Sequence, residues 1–277
     1  MANKTIQREN RYCAHNYKPL PVVLAKGKGV WLWDENGTKY LDMMSAYSAV
    51  SHGHGHPRLL KAMQDQANRL SICSRAFHTD NLAPFLEKLC LLSGMDMALP
   101  MNTGAEAVET AIKAARRWGY QVKGIQKNKA EIIVANGNFH GRTTTVVGFS
   151  SDEEYKEGFG PFDGGFKEVP FGDADALESA ITDNTCAFLV EPIQGEAGIV
   201  MPPKGWLKKV RDICTKHNVL LILDEIQSGL GRSGKTFAFQ HENIKPDGLI
   251  LGKALGGGVM PVSCFLARKD VMDLFQP

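Results

Sequence analysis

The stretch from Val219 to Gly258 leaves the fold few choices. It contains two short apolar runs, Val219–Leu223 and Gly248–Leu251, each the length of a buried strand. Asp224 follows the first run directly, and Gly252-Lys253 follows the second. In an open parallel sheet, groups just beyond the carboxyl ends of strands face the ligand crevice. The pattern therefore predicts that one acid and one amine are delivered to the same small volume.

The surrounding chain fits such a sheet. From Met97 onward, short apolar runs alternate with amphipathic stretches. Ala98–Met101 reads as a strand, followed by a helix to Gly119 with Val108, Ala111, Ile112 and Ala115 on one face. Ile132–Ala135 and Cys186–Val190 read as further strands, and Trp206–His217 as a helix. Near-continuous apolar strands separated by helices predict an α/β fold, a mainly parallel sheet covered on both faces. The opening third differs. Residues 1–18 read as polar and irregular, and Val30–Trp33 and Thr38–Leu41 flank Asp34-Glu35-Asn36-Gly37 as a hairpin. Ser45–Pro57 reads as a loop, a helix starts at Pro57, and a second runs from near Asp80 to Gly94. We expect a small N-terminal lobe over residues 1–65 and a large ligand-binding domain over 66–277.

Composition narrows the function classes. At 43% hydrophobic and 22% charged, the 277 residues describe an ordinary globular protein. A net charge of +2 offers no reason to expect nucleic acid or an anionic membrane as partner. No apolar run approaches the roughly 20 residues of a membrane helix, and MANKTIQRENRY lacks the apolar core of a signal peptide. The six cysteines are scattered without a CxxC pair, which reads as reduced, buried thiols in a cytoplasmic protein.

An acid and a lysine in one pocket suit carbonyl chemistry. The lysine can form an imine and the acid can hold a proton on an aromatic nitrogen, the pair that pyridoxal phosphate requires. Other motifs admit a role beside it, each with a plainer alternative. Thr103-Gly104-Ala105 follows a strand and opens a helix, where unpaired amides suit a phosphate, or where the turn is merely capped. In Phe139-His140-Gly141-Arg142 a ring could stack on a flat cofactor and a guanidinium could clamp a carboxylate, or the two could simply pack and be solvated. Glu191 and Glu196 flank Pro-Ile-Gln-Gly at another strand end and could balance charge or cap a loop. His52, His54 and His56 alternate with glycines, but no carboxylate or cysteine stands at ligand spacing, and no metal is expected. Gly229–Thr236 matches the phosphate-loop pattern of nucleotide hydrolases letter for letter. Its context argues against that reading, because Glu225–Ser228 separate it from the strand and Pro246 follows too soon for a long helix.

Taken in order, these motifs resemble those of the class III pyridoxal-phosphate aminotransferases. The resembling stretches are Gly53–Pro57, Asn102–Glu106, Phe139–Thr143, Glu191–Gly198, Leu223–Gly234 and Leu251–Gly257, so nearly the whole chain takes part. Within the class, Ala14–Leu24 and Ser45–Pro57 are most similar to members that act on ornithine, with acetylornithine or another ω-amino acid as the alternative donor. The resemblance implies a fold type I architecture and pyridoxal 5'-phosphate as cofactor. It implies Lys253 as the residue that bonds the cofactor and shuttles the proton, and Asp224 as the partner of the ring nitrogen. Gln227 would lie near the phenolic oxygen, Phe139 would stack on the ring, and Gly104 and Ala105 would hold the phosphate. Arg142 would bind a substrate carboxylate, Tyr17 and Tyr47 would line the channel, and Glu196 would pair with an arginine. The substrates would be an amino acid and a 2-oxo acid, and the full-length form a homodimer. In the family that arginine lies in a C-terminal domain, as does another subunit's threonine at the phosphate. The resemblance therefore predicts that this domain is absent here and that the 277-residue chain alone is impaired.

Overall fold

Among residues 3–277, which the computed structural model describes, ten strands form two sheets. The first is small and antiparallel, with β1 (Leu24–Lys28), β2 (Trp31–Asp34) and β3 (Lys39–Leu41) in sequence order. Its β2–β3 turn is the expected one. Asp34 accepts from the Asn36 and Thr38 amides at 2.9 and 2.8 Å, and Gly37 takes the positive φ that closes it.

The second sheet holds β4 (Met97–Met101), β5 (Glu131–Ala135), β6 (Phe166–Val169), β7 (Thr185–Val190), β8 (Leu220–Asp224), β9 (Gly248–Leu251) and β10 (Ser263–Ala267). Their spatial order is β4-β10-β9-β8-β7-β5-β6. All neighbouring pairs are parallel except those made by β10, which runs against both β9 and β4. Successive side chains of a strand point to opposite faces. Accordingly Ile132, Val134, Leu220 and Ile222 enter one core, and Ile133, Ala135, Leu221 and Leu223 the other. The first core is closed by helix Gly104–Trp118, whose Ala107, Val108, Ala111, Ile112 and Ala115 are buried. The second is closed by helices Leu82–Ser93, Ala174–Ala180 and Trp206–Lys216. Both faces are covered, as the apolar strands require.

Three expectations change. Residues 1–18 are not irregular throughout, since Lys4–Tyr12 is a helix capped by Asn3, whose side chain accepts from Thr5 and Ile6; residues 1 and 2 lie outside the described residues. The Ser45–Pro57 loop contains a left-handed turn over Ser45–Ser48, with φ between 48 and 75° at four non-glycine residues. Finally, of the six free cysteines only Cys186, Cys214 and Cys264 are buried, while Cys13 is exposed. No helix among the described residues is long and apolar enough to cross a membrane.

Candidate active site

Asp224 is the last residue of β8, and Lys253 follows β9 by one glycine. Adjacent parallel strands thus bring the acid and the amine to the same edge, and both line one cleft. Gly104, Ala105, Phe139, Glu196 and Gln227 line it too. With Glu191, which lines it as well, eight of the residues singled out in the sequence therefore converge.

Each wall has a local cause. Thr103 caps helix Gly104–Trp118 in a reciprocal box with Glu106, which accepts from the Asn102 and Thr103 amides at 3.0 and 2.7 Å. The Gly104 and Ala105 amides that follow have no partner among the described residues and stand at the positive end of the helix. Gly104 packs closely on Ile226: an added Cβ would lie 2.8 Å from Ile226 Cδ1, so that side chain would have to shift. Lys253 adopts φ +41°, a conformation disfavoured for a side-chain-bearing residue.

The electrostatics of the cleft are uneven. Burial lowers the pKa of Lys253, against the opposing pull of Glu196, Asp224 and Glu191. Its Nζ lies 3.7 Å from Glu196 Oε1. Asp224 is 4% exposed, and its Oδ1 accepts from the Ile226 amide at 3.0 Å. Its Oδ2 lies 2.7 Å from Nδ1 of His140, a wholly buried ring. Burial alone would lower the His140 pKa, but the hydrogen bond and charge of Asp224 raise it. The Nε2 atom of His140 is buried with no partner among the described residues. Glu191 is pushed up to about 7, chiefly by burial, with His140 opposing and Asp224 reinforcing.

Three predicted residues, Tyr17, Tyr47 and Arg142, are not in the lining of this cleft. The Arg142 guanidinium lies over three rings, at 4.8 Å from Tyr155 and 5.6 Å from both Tyr17 and Phe139. It makes no ion pair among the described residues, so its N–H edges remain available to an incoming carboxylate. Tyr47 reaches the site through its carbonyl, 3.5 Å from Gln227 Nε2, while its side chain is half exposed. Glu196 accepts from Gln227 Nε2 at 2.9 Å.

His140 and Tyr155 were not assigned roles from the sequence. The signal for His140 was its place in the loop after β5, two strands from Asp224 in the sheet order. Tyr155 carried no signal beyond being aromatic. Of the histidines at 52, 54 and 56, His54 is bonded to Asp42 at 2.7 Å and His52 sits edge-on to His56. Gly229–Thr236 forms turns rather than the start of a long helix.

The aminotransferase class-III family model matches residues 12–277. An ornithine aminotransferase 2 of Staphylococcus aureus is 61% identical over 276 residues, covering 100% of this chain and 70% of its own length. An ornithine aminotransferase of a Geobacillus species is 60% identical, covering 98% and 68%. Among solved structures, the ornithine aminotransferase of Toxoplasma gondii superposes with a TM-score of 0.97 at 44% identity. That match covers 99% of this chain and 65% of the solved one. An acetylornithine aminotransferase of Elizabethkingia anophelis gives 0.86 at 48% identity, with coverage of 99% and 66%. The chain thus spans about two-thirds of the length of the proteins it matches.

Proposed function

This chain belongs to the class III aminotransferases, and we propose that its cleft transfers the terminal amino group of L-ornithine to 2-oxoglutarate with pyridoxal phosphate as cofactor. The products are glutamate 5-semialdehyde and glutamate. The observation that carries the reading is the convergence of Lys253 and Asp224, from the ends of β9 and β8, on one cleft.

The residues fit the cofactor. Gly104 and Ala105 carry helix-start amides with no partner among the described residues, and a lysine of lowered pKa lines the same cleft as a buried carboxylate. When bound, pyridoxal phosphate supplies a carbonyl that captures amines and a ring that withdraws electrons from the substrate carbon. Lys253 is the amine of the site and would carry a proton to and from that carbon. Asp224, oriented by His140, would hold the proton of the ring nitrogen. Phe139 would cover the ring, Gln227 would bond near the phenolic oxygen, and Gly104 and Ala105 would receive the phosphate. Arg142 takes a substrate carboxylate, and Tyr17 and Tyr47 line the approach. Glu196 occupies the charge position beside Lys253. In this reading residues 66–277 form the cofactor-binding domain and 1–65 the smaller lobe, the working form is a homodimer, and the reaction takes place in the cytoplasm.

Borohydride reduction of the chain with pyridoxal phosphate tests it. A covalent adduct at Lys253 is expected, with turnover of ornithine and 2-oxoglutarate reduced in this chain alone relative to a full-length relative, and Lys253→Ala loses both. Preference for acetylornithine would move the substrate to the alternative donor, and no adduct at Lys253 would end the proposal.

A further inference from the structure

Glu191 has no part in the roles above, yet it is buried and lines the cleft. Its Oε2 accepts from the Phe139 amide at 3.1 Å, and its Oε1 from the Gly195 amide at 3.3 Å. The two donors belong to different loops. Phe139 lies after β5, in the segment that carries His140 and Arg142; Gly195 lies after β7 and directly precedes Glu196. Gly195 also packs against Gln227 so closely that an added Cβ would fall on the Gln227 amide. One further bond, Gln194 Nε2 to the Asn136 carbonyl at 2.7 Å, joins the same loops but touches neither donor.

We propose that Glu191 is a positioning residue whose carboxylate ties Phe139 to Gly195, and so fixes the ring-covering side chain relative to Gln227 and Glu196. The proposal rests on the pyridoxal phosphate reading for what the tie serves, though the tie itself does not need the cofactor. Accepting well at both oxygens at once requires the ionised form, while burial opposes ionisation and pushes the group up to about 7. When protonated, one oxygen carries a hydrogen and no longer accepts well from its amide, so one loop is released. The titratable groups facing Glu191 are His140 from the loop after β5, Asp224 from β8 and Lys253 after β9.

The test pairs amide hydrogen exchange with cofactor titration. Glu191→Gln presents an NH2 to one of the amides, and Glu191→Asp keeps the charge but is too short to span both. Each variant is expected to weaken pyridoxal phosphate binding about tenfold, the loss of one hydrogen bond to a charged group. Each should speed exchange in segments 136–143 and 192–198 by about the same factor, and change the circular dichroism of the bound cofactor, while exchange in β5, β7 and β8 stays unchanged. An Asp variant that behaves as the parent beside a weakened Gln variant would show that charge, not span, matters, and would overturn the proposal. Unchanged exchange in both would do the same. Should neither variant fold, the parent decides: after correction for intrinsic rates, protection of the Phe139 and Gly195 amides should fall from pH 8 to pH 6, and constant protection refutes the tie. If the parent binds no pyridoxal phosphate, the proposed function fails while the exchange data still judge Glu191.

Discussion

Replacing His140 by alanine isolates the contact on which the acid of the site depends. The ring is wholly buried and its Nδ1 is 2.7 Å from Asp224 Oδ2. Removing one partner of a buried pair leaves an uncompensated charge and costs about 3–5 kcal/mol. The Ile226 amide still serves Asp224 Oδ1 at 3.0 Å, which holds the expected loss near the lower end, about 3 kcal/mol including the lost ring contacts. His140→Asn should cost only about 1 kcal/mol, because its amide nitrogen can stand where Nδ1 stood. Urea unfolding of the cofactor-free protein reads both values. The pH dependence has a definite sign. A His whose folded pKa is raised above the unfolded value of about 6.5 contributes stability that is fully present below 6.5 and lost as pH rises through the folded value. The deficit of His140→Ala relative to the parent should therefore be larger at pH 6 than at pH 9. A loss below about 1 kcal/mol, a deficit independent of pH, or an asparagine variant as damaged as the alanine one would each refute the reasoning.

Gly195→Ala should displace the Gln227 side chain and break its bond to Glu196 while leaving unfolding within about 1 kcal/mol of the parent. Ornithine turnover should then fall at unchanged stability, and a fully active variant would count against the placement of Gln227. Glu225, buried and accepting from the Ala238 and Phe239 amides at 2.6 and 2.9 Å, is raised to about 7 by burial. Its contribution to stability is present below its ordinary value near 4.5 and lost as pH rises through about 7. Glu225→Gln should flatten the decline in unfolding free energy between pH 5 and 8, leaving the share due to Glu191 and His140.

What could be read from the chain, and what could not, divides by the distance over which the information acts. Val219–Leu223 and Gly248–Leu251 announce buried strands by local composition, and a strand's end points to the crevice without further knowledge, so Asp224 and Lys253 were legible. Thr103-Gly104-Ala105 was legible for the same reason, since capping is a local rule. The helix Lys4–Tyr12 was legible in principle from the Asn3 cap, but it buries no residue and Ile6 is its one aliphatic side chain, too little to announce a packed face. β10 escaped because a short, mostly apolar run says nothing of direction; its reversal depends on β4 and β9, which lie elsewhere in the chain. The left-handed turn at Ser45–Ser48 has no glycine to mark it. It rests on Asp42 holding the Met44 and Ser45 amides while pairing with His54. His140 and Glu191 belong with this last group. Their partners, Asp224 for one and the Phe139 and Gly195 amides for the other, meet them only after β5, β7 and β8 have lined up. Strand tips thus declare which groups face the cleft, whereas the assembled sheet decides which of them hold one another in place.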